Sequence, residues 1–264
     1  MINIIVFGNV PLATWVIVQI KNSNYINLLG VVCDEYDFNF FKHHNMNEIS
    51  SYAYCKNEKI RCLKFDEALK IAQHEDVLGI SVRYNKIFKE EYFNVFNPGI
   101  INLHGGELPR YRGSNIANYA ILEKAKRGAG TMHFIAKGID EGDIVKRSYF
   151  SVADNETAHS FFIKTLNALK KTFLDFLIDI DRKKYNNTIK TISQKDLISN
   201  GETSKVYYRK GIEKYREINF NEKLDWEEIN LKLRAFYFPG HSGIFLVNNK
   251  ERVELKYCDS DYKS

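Results

Sequence analysis

Three side chains set out the chemistry open to this sequence. Asn102 and His104 stand two positions apart in Gly99-Ile-Ile-Asn-Leu-His, a run of strand-forming residues, so both leave the strand on one face. A carboxylate follows at Asp140, in the stretch Gly138-Ile-Asp-Glu-Gly142. A carboxamide is a neutral donor suited to charge that develops on a carbonyl oxygen, and removing one such donor costs about 2.7 to 4 kcal/mol in other enzymes. An imidazole, with an unperturbed pKa of roughly 6.5, accepts a proton at neutral pH. A carboxylate beside it orients the ring and stabilises its charged form. Each residue alone is also compatible with a structural role, Asn102 pinning a turn and His104 closing a buried strand.

The surrounding residues narrow the choice. Asn102-Leu-His104 is followed by Leu108-Pro109-x-Tyr111-Arg112-Gly113, and Asp140-Glu141-Gly142 comes further on. This pattern resembles the active site of the formyltransferases that use 10-formyltetrahydrofolate, and the match runs residue by residue. The resemblance implies an enzyme in which Asn102 faces the oxyanion of a tetrahedral intermediate, His104 takes the proton of the attacking amine, and Asp140 partners His104. Coincidence at this many positions is hard to sustain.

It also implies a donor pocket, formed by Ser81, Arg83, Tyr84 and Ile87 before the catalytic strand and by Lys137 and Gly138 on the loop that carries Asp140. On the acceptor side, Asn9, Gly105, Tyr111 and Arg112 are the candidates, with Arg112 equally suited to tying its loop to a core carboxylate. Gly105-Gly106 is similar to the pattern of the enzymes that formylate nucleotide-linked amino sugars. Two glycines there would leave room for a sugar ring beside the imidazole, or serve a tight turn. The implied reaction is N-formylation of a nucleoside-diphosphate deoxyamino sugar, dTDP-3-amino or dTDP-4-amino, for surface polysaccharide. A homodimer is the assembly expected from the resemblance. Methionyl-tRNA formyltransferase, a formyltetrahydrofolate hydrolase and a binding module that has lost turnover are the alternatives.

Composition agrees with a globular protein of this kind. The chain has 264 residues, long enough for a sizeable core, and 44% hydrophobic content places it away from disordered sequences. The net charge of +5 favours anionic ligands such as a nucleoside diphosphate or a folate. Lysine is spread widely and no basic run interleaved with aromatics stands out, so no nucleic-acid face is expected. No apolar stretch reaches the length of a membrane span and the first residues lack a basic leader, which points to a cytoplasmic protein. Cys33, Cys55, Cys62 and Cys258 show no Cys-x-x-Cys spacing and no paired histidine; reduced thiols and no metal are expected.

These side chains need a scaffold that delivers them to one place. Apolar runs at 2–8, 28–33, 79–82 and 100–103 alternate with helix-compatible stretches, the pattern of an α/β, Rossmann-like, mostly parallel sheet flanked by helices, with ligands at the carboxyl ends of its strands. The first strand ends in Gly8-Asn-Val-Pro11, without the Gly-x-Gly-x-x-Gly that a nicotinamide dinucleotide requires, which weighs against a dehydrogenase. Residues 131–135 read as a strand leading to the Asp140 loop. Residues 154–157 can cap a long helix in which Phe162, Leu166, Leu169, Phe173, Phe176 and Ile180 recur at helical spacing. After Arg182 the chain turns polar, with Asn186-Asn187 and Asn200-Gly201. The division expected is a catalytic domain over 1–200 and a small α+β appendage over 204–264, containing a helix around 226–235 and two strands flanking Asn248-Asn249.

Overall fold

The computed structural model of the chain describes residues 1–34, 49–182, 189–221, 225–248 and 251–258. Asn186 and Asn187 of the polar stretch, and Asn249 between the two C-terminal strands, lie outside the described residues. Strands β1 (Ile2–Phe7), β2 (Ile26–Val32), β3 (Cys62–Leu63), β4 (Val77–Val82) and β5 (Gly99–His104) run parallel. Beyond the short β6 (Arg112–Gly113), the chain adds β7 (Arg127–Phe134), antiparallel to β5, and β8 (Ile144–Ser151), antiparallel to β7. The resulting order is β3-β2-β1-β4-β5-β7-β8. The sheet is therefore mostly parallel, as the alternation of strands and helices predicts.

Burial explains why these segments are strands. Every residue of β4 is buried, as in a strand covered on both faces. Along β1, Ile4 and Val6 enter one core while Ile5 and Phe7 enter the other. The first core is roofed by the helices Pro11–Lys21 and Ala158–Arg182, the second by the helix Phe65–His74. In the long helix Leu166, Leu169, Phe173, Phe176 and Ile180 are all buried, and Phe162 packs partly buried against the same core. Its start is fixed by a reciprocal pair: Ser160 N–H donates to Thr157 Oγ1, and Thr157 N–H donates to Ser160 Oγ.

The C-terminal segment carries β9 (Val206–Tyr207), β10 (Glu217–Asn219), the helix Trp226–Ala235, β11 (Ile244–Asn248) and β12 (Glu251–Leu255). β10, β11 and β12 form a small sheet, whereas β9 pairs in parallel with β6, placing Val206 against Arg112 and Tyr207 against Gly113. Tyr207, Ile212, Ile218, Ala235, Phe236 and Ile244 share one core with Tyr111, Ile116, Tyr119 and Phe161. The segment is thus packed onto residues that follow β5 and onto the start of the long helix. No helix among the described residues is long and apolar enough to cross a membrane.

Candidate active site

Register brings three polar side chains into a row across the sheet. Ser81 of β4 lies opposite Asn102 of β5, and Asn102 lies opposite His133 of β7. Residues in register on neighbouring strands share a face, so the three project together from one face of the sheet. His133 Nδ1 lies 2.8 Å from the Phe134 carbonyl, which fixes the proton on Nδ1 and leaves Nε2 as an acceptor. Asn102 Nδ2 donates to that Nε2 at 3.3 Å. His133 therefore orients the amide of Asn102, a role that the Asn-x-His spacing alone does not reveal. The available signal is the alternation Thr131, His133, Ile135 on a strand leading to Asp140.

Asp140 reaches the row from a closed excursion of the chain. Phe134 N–H donates to the Asp143 carbonyl, pinching the loop at its base, and a side chain at Gly142 would collide with the Phe134 carbonyl. Asp140 itself has φ +47, a left-handed conformation that Asp tolerates better than most residues. Its Oδ2 accepts from Gly113 N–H at 2.8 Å and lies 3.4 Å from His104 Nδ1, while Oδ1 lies 3.5 Å from His133 Nε2. From behind, Gln194 Nε2 donates to the Asp140 carbonyl at 2.9 Å and to the Gly142 carbonyl at 2.7 Å. Gln194 is buried and distant in sequence, and nothing near the motifs points to it.

The electrostatics separate an acid-stable anion from a neutral base. Burial disfavours the Asp140 charge, but the His104 ring and the Gly113 N–H outweigh it and hold the carboxyl well below the usual range. For His104 burial dominates and lowers the pKa, with Asp140 opposing and His133 assisting. His104 Nε2 is 2.7 Å from the Tyr111 carbonyl and so carries the ring proton, leaving Nδ1, the nitrogen that faces Asp140, free to accept one. At neutral pH the pair is a neutral imidazole beside an ionised carboxylate.

Asn102, His133 and Asp140 line a cleft of about 250 Å³ together with Ser81, Tyr84, Ile87, Lys137 and Gly138. A larger groove, about 540 Å³, lies between residues 120–126 and the helix Trp226–Ala235, and contains none of these residues. Size does not mark the reactive place here; the convergence of polar groups does.

Comparison with known proteins agrees with this geometry. The model of the formyl transferase family, "Formyl transferase", matches residues 2–177. The chain belongs to the formyl transferase family. Among curated relatives, the methionyl-tRNA formyltransferase of Clostridium tetani is 35% identical over 89 residues, 34% of this chain and 29% of that protein. The methionyl-tRNA formyltransferase of Thermodesulfovibrio yellowstonii is 32% identical over 106 residues, 40% of this chain and 34% of that protein. The matches span about a third of the length of these relatives. Among solved structures, WlaRD, a sugar 3N-formyl transferase in the presence of dTDP and 5-N-formyl-THF, is 26% identical with a TM-score of 0.72, covering 90% of this chain and 80% of that one. A 4-N formyltransferase from Francisella tularensis has a TM-score of 0.73 at 17% identity, covering 97% and 96%, and shares the fold.

Several residues singled out by sequence have other positions in this formyl transferase. Tyr111 is buried, its ring stacked 5.5 Å from Tyr207, and it serves the site through its carbonyl; the expected contact of its side chain with an acceptor is corrected accordingly. The room expected beside Gly105 and Gly106 is also filled. A side chain at Gly106 would stand 2.6 Å from His104 Nε2, and one at Gly105 2.9 Å from Thr165 Cγ2. Glycine there admits the Tyr111–His104 contact and the long helix. Asn9 donates through Nδ2 to the Asp34 carbonyl at 2.6 Å and accepts from Tyr52 N–H at 3.3 Å, so its amide ties backbone segments together. Arg112 Nε donates to the Ile139 carbonyl at 2.7 Å, with Nη2 3.2 Å from Glu141: it ties its strand to the Asp140 loop, and the carboxylate is a half-exposed one. Arg83 is exposed with φ +51, its guanidinium 5.0 Å over the Phe162 ring and outside the cleft lining.

The residues that remain fit one end of a folate. The Tyr84 hydroxyl is buried without a hydrogen-bond partner, and burial, with the charge of Asp34, pushes its pKa up to about 12, so it stays a neutral donor. Lys86 and Lys137 flank the cleft with positive charge suited to a folate's carboxylates. The volume lies below the roughly 300–1,000 Å³ of pockets that enclose whole small molecules, so the cleft suits a heterocyclic head with the tail outside.

Proposed function

We propose that the chain is an N-formyltransferase that moves a formyl group from 10-formyltetrahydrofolate to the primary amine of a nucleoside-diphosphate deoxyamino sugar. The observation that carries this reading is the meeting of Asn102 and Asp140 at the cleft, with His104 Nδ1 3.4 Å from the Asp140 carboxylate. The family supplies the chemistry of formyl transfer. The folate occupies the cleft of Ser81, Tyr84, Ile87, Lys137 and Gly138, and supplies the formyl group. Asn102, held by His133, turns its amide toward the formyl oxygen and donates to the negative charge that grows there. The amine attacks the formyl carbon and loses its proton to His104 Nδ1. The resulting N–H faces Asp140, whose ionised carboxylate stabilises the imidazolium. Product formamide leaves with one new C–N bond, and the old C–N bond breaks as the donor nitrogen regains a proton.

Likeness to WlaRD, at 26% identity and a TM-score of 0.72, supports a sugar nucleotide as acceptor, and a dTDP-linked 3-amino or 4-amino sugar is the one we propose. Within this reading residues 1–200 are the catalytic portion and 204–264 the appendage, a homodimer is the assembly, and surface polysaccharide is the product's destination.

The test is incubation with 10-formyltetrahydrofolate and a panel of dTDP-, UDP- and GDP-linked 3-amino and 4-amino sugars, followed by mass spectrometry. A gain of one formyl group on one dTDP sugar is expected. Silence across the panel, with formyl-methionyl transfer RNA formed in parallel, would replace the sugar by the transfer RNA; release of formate without acceptor would make the protein a hydrolase.

A further inference from the structure

Away from the cleft, the fold gathers three cysteines that the sequence keeps apart. Val31 of β2 is in register with Cys62 of β3, and Cys33 lies two positions beyond Val31, so Cys33 and Cys62 leave neighbouring strands on one face. The helix Ser51–Asn57 lays Cys55 over that face, fully buried. The three sulfurs all lie within 4.8 Å of one another. Cys258, exposed in the C-terminal segment, takes no part.

We propose that Cys33, Cys55 and Cys62 bind a thiophilic divalent ion, zinc(II), with solvent as the fourth ligand on the Cys62 side. Tetrahedral zinc with sulfur at about 2.3 Å needs sulfurs about 3.8 Å apart, so the trio closes on an ion by small side-chain rotations. Cys33 and Cys55 are buried, while Cys62 is only partly so and leaves an approach for ion and water. As each sulfur–zinc bond forms, a thiol proton passes to solvent. Three thiolates around a divalent ion leave one net negative charge and around a monovalent ion two; the apolar setting therefore favours the divalent ion.

The consequence is local. Cys33 precedes Asp34, whose carbonyl accepts from Asn9, and Asn9 in turn accepts from Tyr52 N–H in the helix that carries Cys55. An ion at the thiols clamps that helix to β2 and β3 beneath Asn9. The site is independent of the formyl-transfer reading, since none of its ligands lines the cleft.

Reduced, metal-free protein of residues 1–264 would be titrated with zinc against a chromogenic chelator and, separately, with cobalt(II) while recording absorption. One zinc per chain and a sulfur-to-cobalt charge-transfer band are expected. Cys55→Ala and Cys62→Ala weaken zinc binding at least about tenfold, the smallest loss typical of disturbing a metal site. Cys258→Ser binds as the parent does. Wild-type protein that yields all its zinc to the chelator and gives no thiolate band overturns the proposal, whether or not the variants fold. So does a folded Cys55→Ala or Cys62→Ala variant that binds like the parent, or binding lost in Cys258→Ser.

Discussion

Asn102 Nδ2 and His133 Nε2 lie 3.3 Å apart across the antiparallel pairing of β5 and β7, directly opposite in register. This contact joins the parallel part of the sheet to its antiparallel edge at the place where reactive groups converge. Its chemical meaning follows from the Phe134 carbonyl, which takes the Nδ1 proton of His133 and makes Nε2 an acceptor. The amide of Asn102 thus has one orientation before any ligand arrives.

His133→Ala frees the Asn102 amide to rotate. Turnover is expected to fall on the order of 10- to 100-fold, as when a partner that orients a reactive ligand is removed, with the donor KM nearly unchanged. A parallel fall in folate affinity would show instead that His133 holds the donor.

Asn102→Ala removes the donor itself, and a loss in kcat of about 10² to 10³ is expected. Combined with His133→Ala it should add little further loss, because the two act as one unit. Steady-state kinetics of the two single variants and the double variant make the comparison.

His104→Asn and Asp140→Asn are each expected to lower turnover by about 10² to 10⁴ with the fold kept, as for groups that move a proton. Circular dichroism and single-turnover rates separate lost chemistry from lost structure. Near-parental rates in either variant would remove that residue from the reaction.

The pH dependence follows from the burial of His104. Its pKa is lowered in the folded chain, so between that value and roughly 6.5 the unfolded state binds more protons and stability rises with pH. Asp140 has the opposite origin and the same sign: its depressed folded pKa contributes stability that is present above the unfolded value of about 3.9 and lost as pH falls through the folded one. Urea unfolding across the acid range is expected to show stability falling toward low pH, with a shallower slope below pH 6.5 in His104→Gln. In Asp140→Asn the acidic limb of kcat/KM should move to lower pH, since the carboxylate raises the His104 pKa.

Gln194→Ala leaves the Asp140 and Gly142 carbonyls without their buried donor. A loss of about 1–3 kcal/mol of stability is expected from the unpaired groups, with a lower kcat from the loosened Asp140 loop. Thermal unfolding measures the first effect and steady-state kinetics the second.

Much of this was legible in the residues themselves. The period of two in β5 puts Asn102 and His104 on one face whatever surrounds them, and the apolar strands alternating with helices fix an α/β sheet. The stripe from Leu166 to Ile180 commits that helix to the core, because burial of its apolar face is the main source of its stability. Each of these depends on neighbours a few positions apart.

What lies far apart in the chain was decided only by the tertiary structure. Register between β5 and β7 selects His133 as the partner of Asn102, and a buried amide at position 194 supports a loop more than fifty residues away. Gly106 reads as space in the sequence, yet in the fold that space is where Tyr111 meets His104. Tyr111 reads as a ligand contact, yet it is buried against Tyr207 because β6 pairs with β9. Cys33, Cys55 and Cys62 show no metal spacing, and three separate elements bring their sulfurs together. Local propensity and periodicity are properties of the chain, whereas register, loop closure and packing are settled by which surfaces meet on folding.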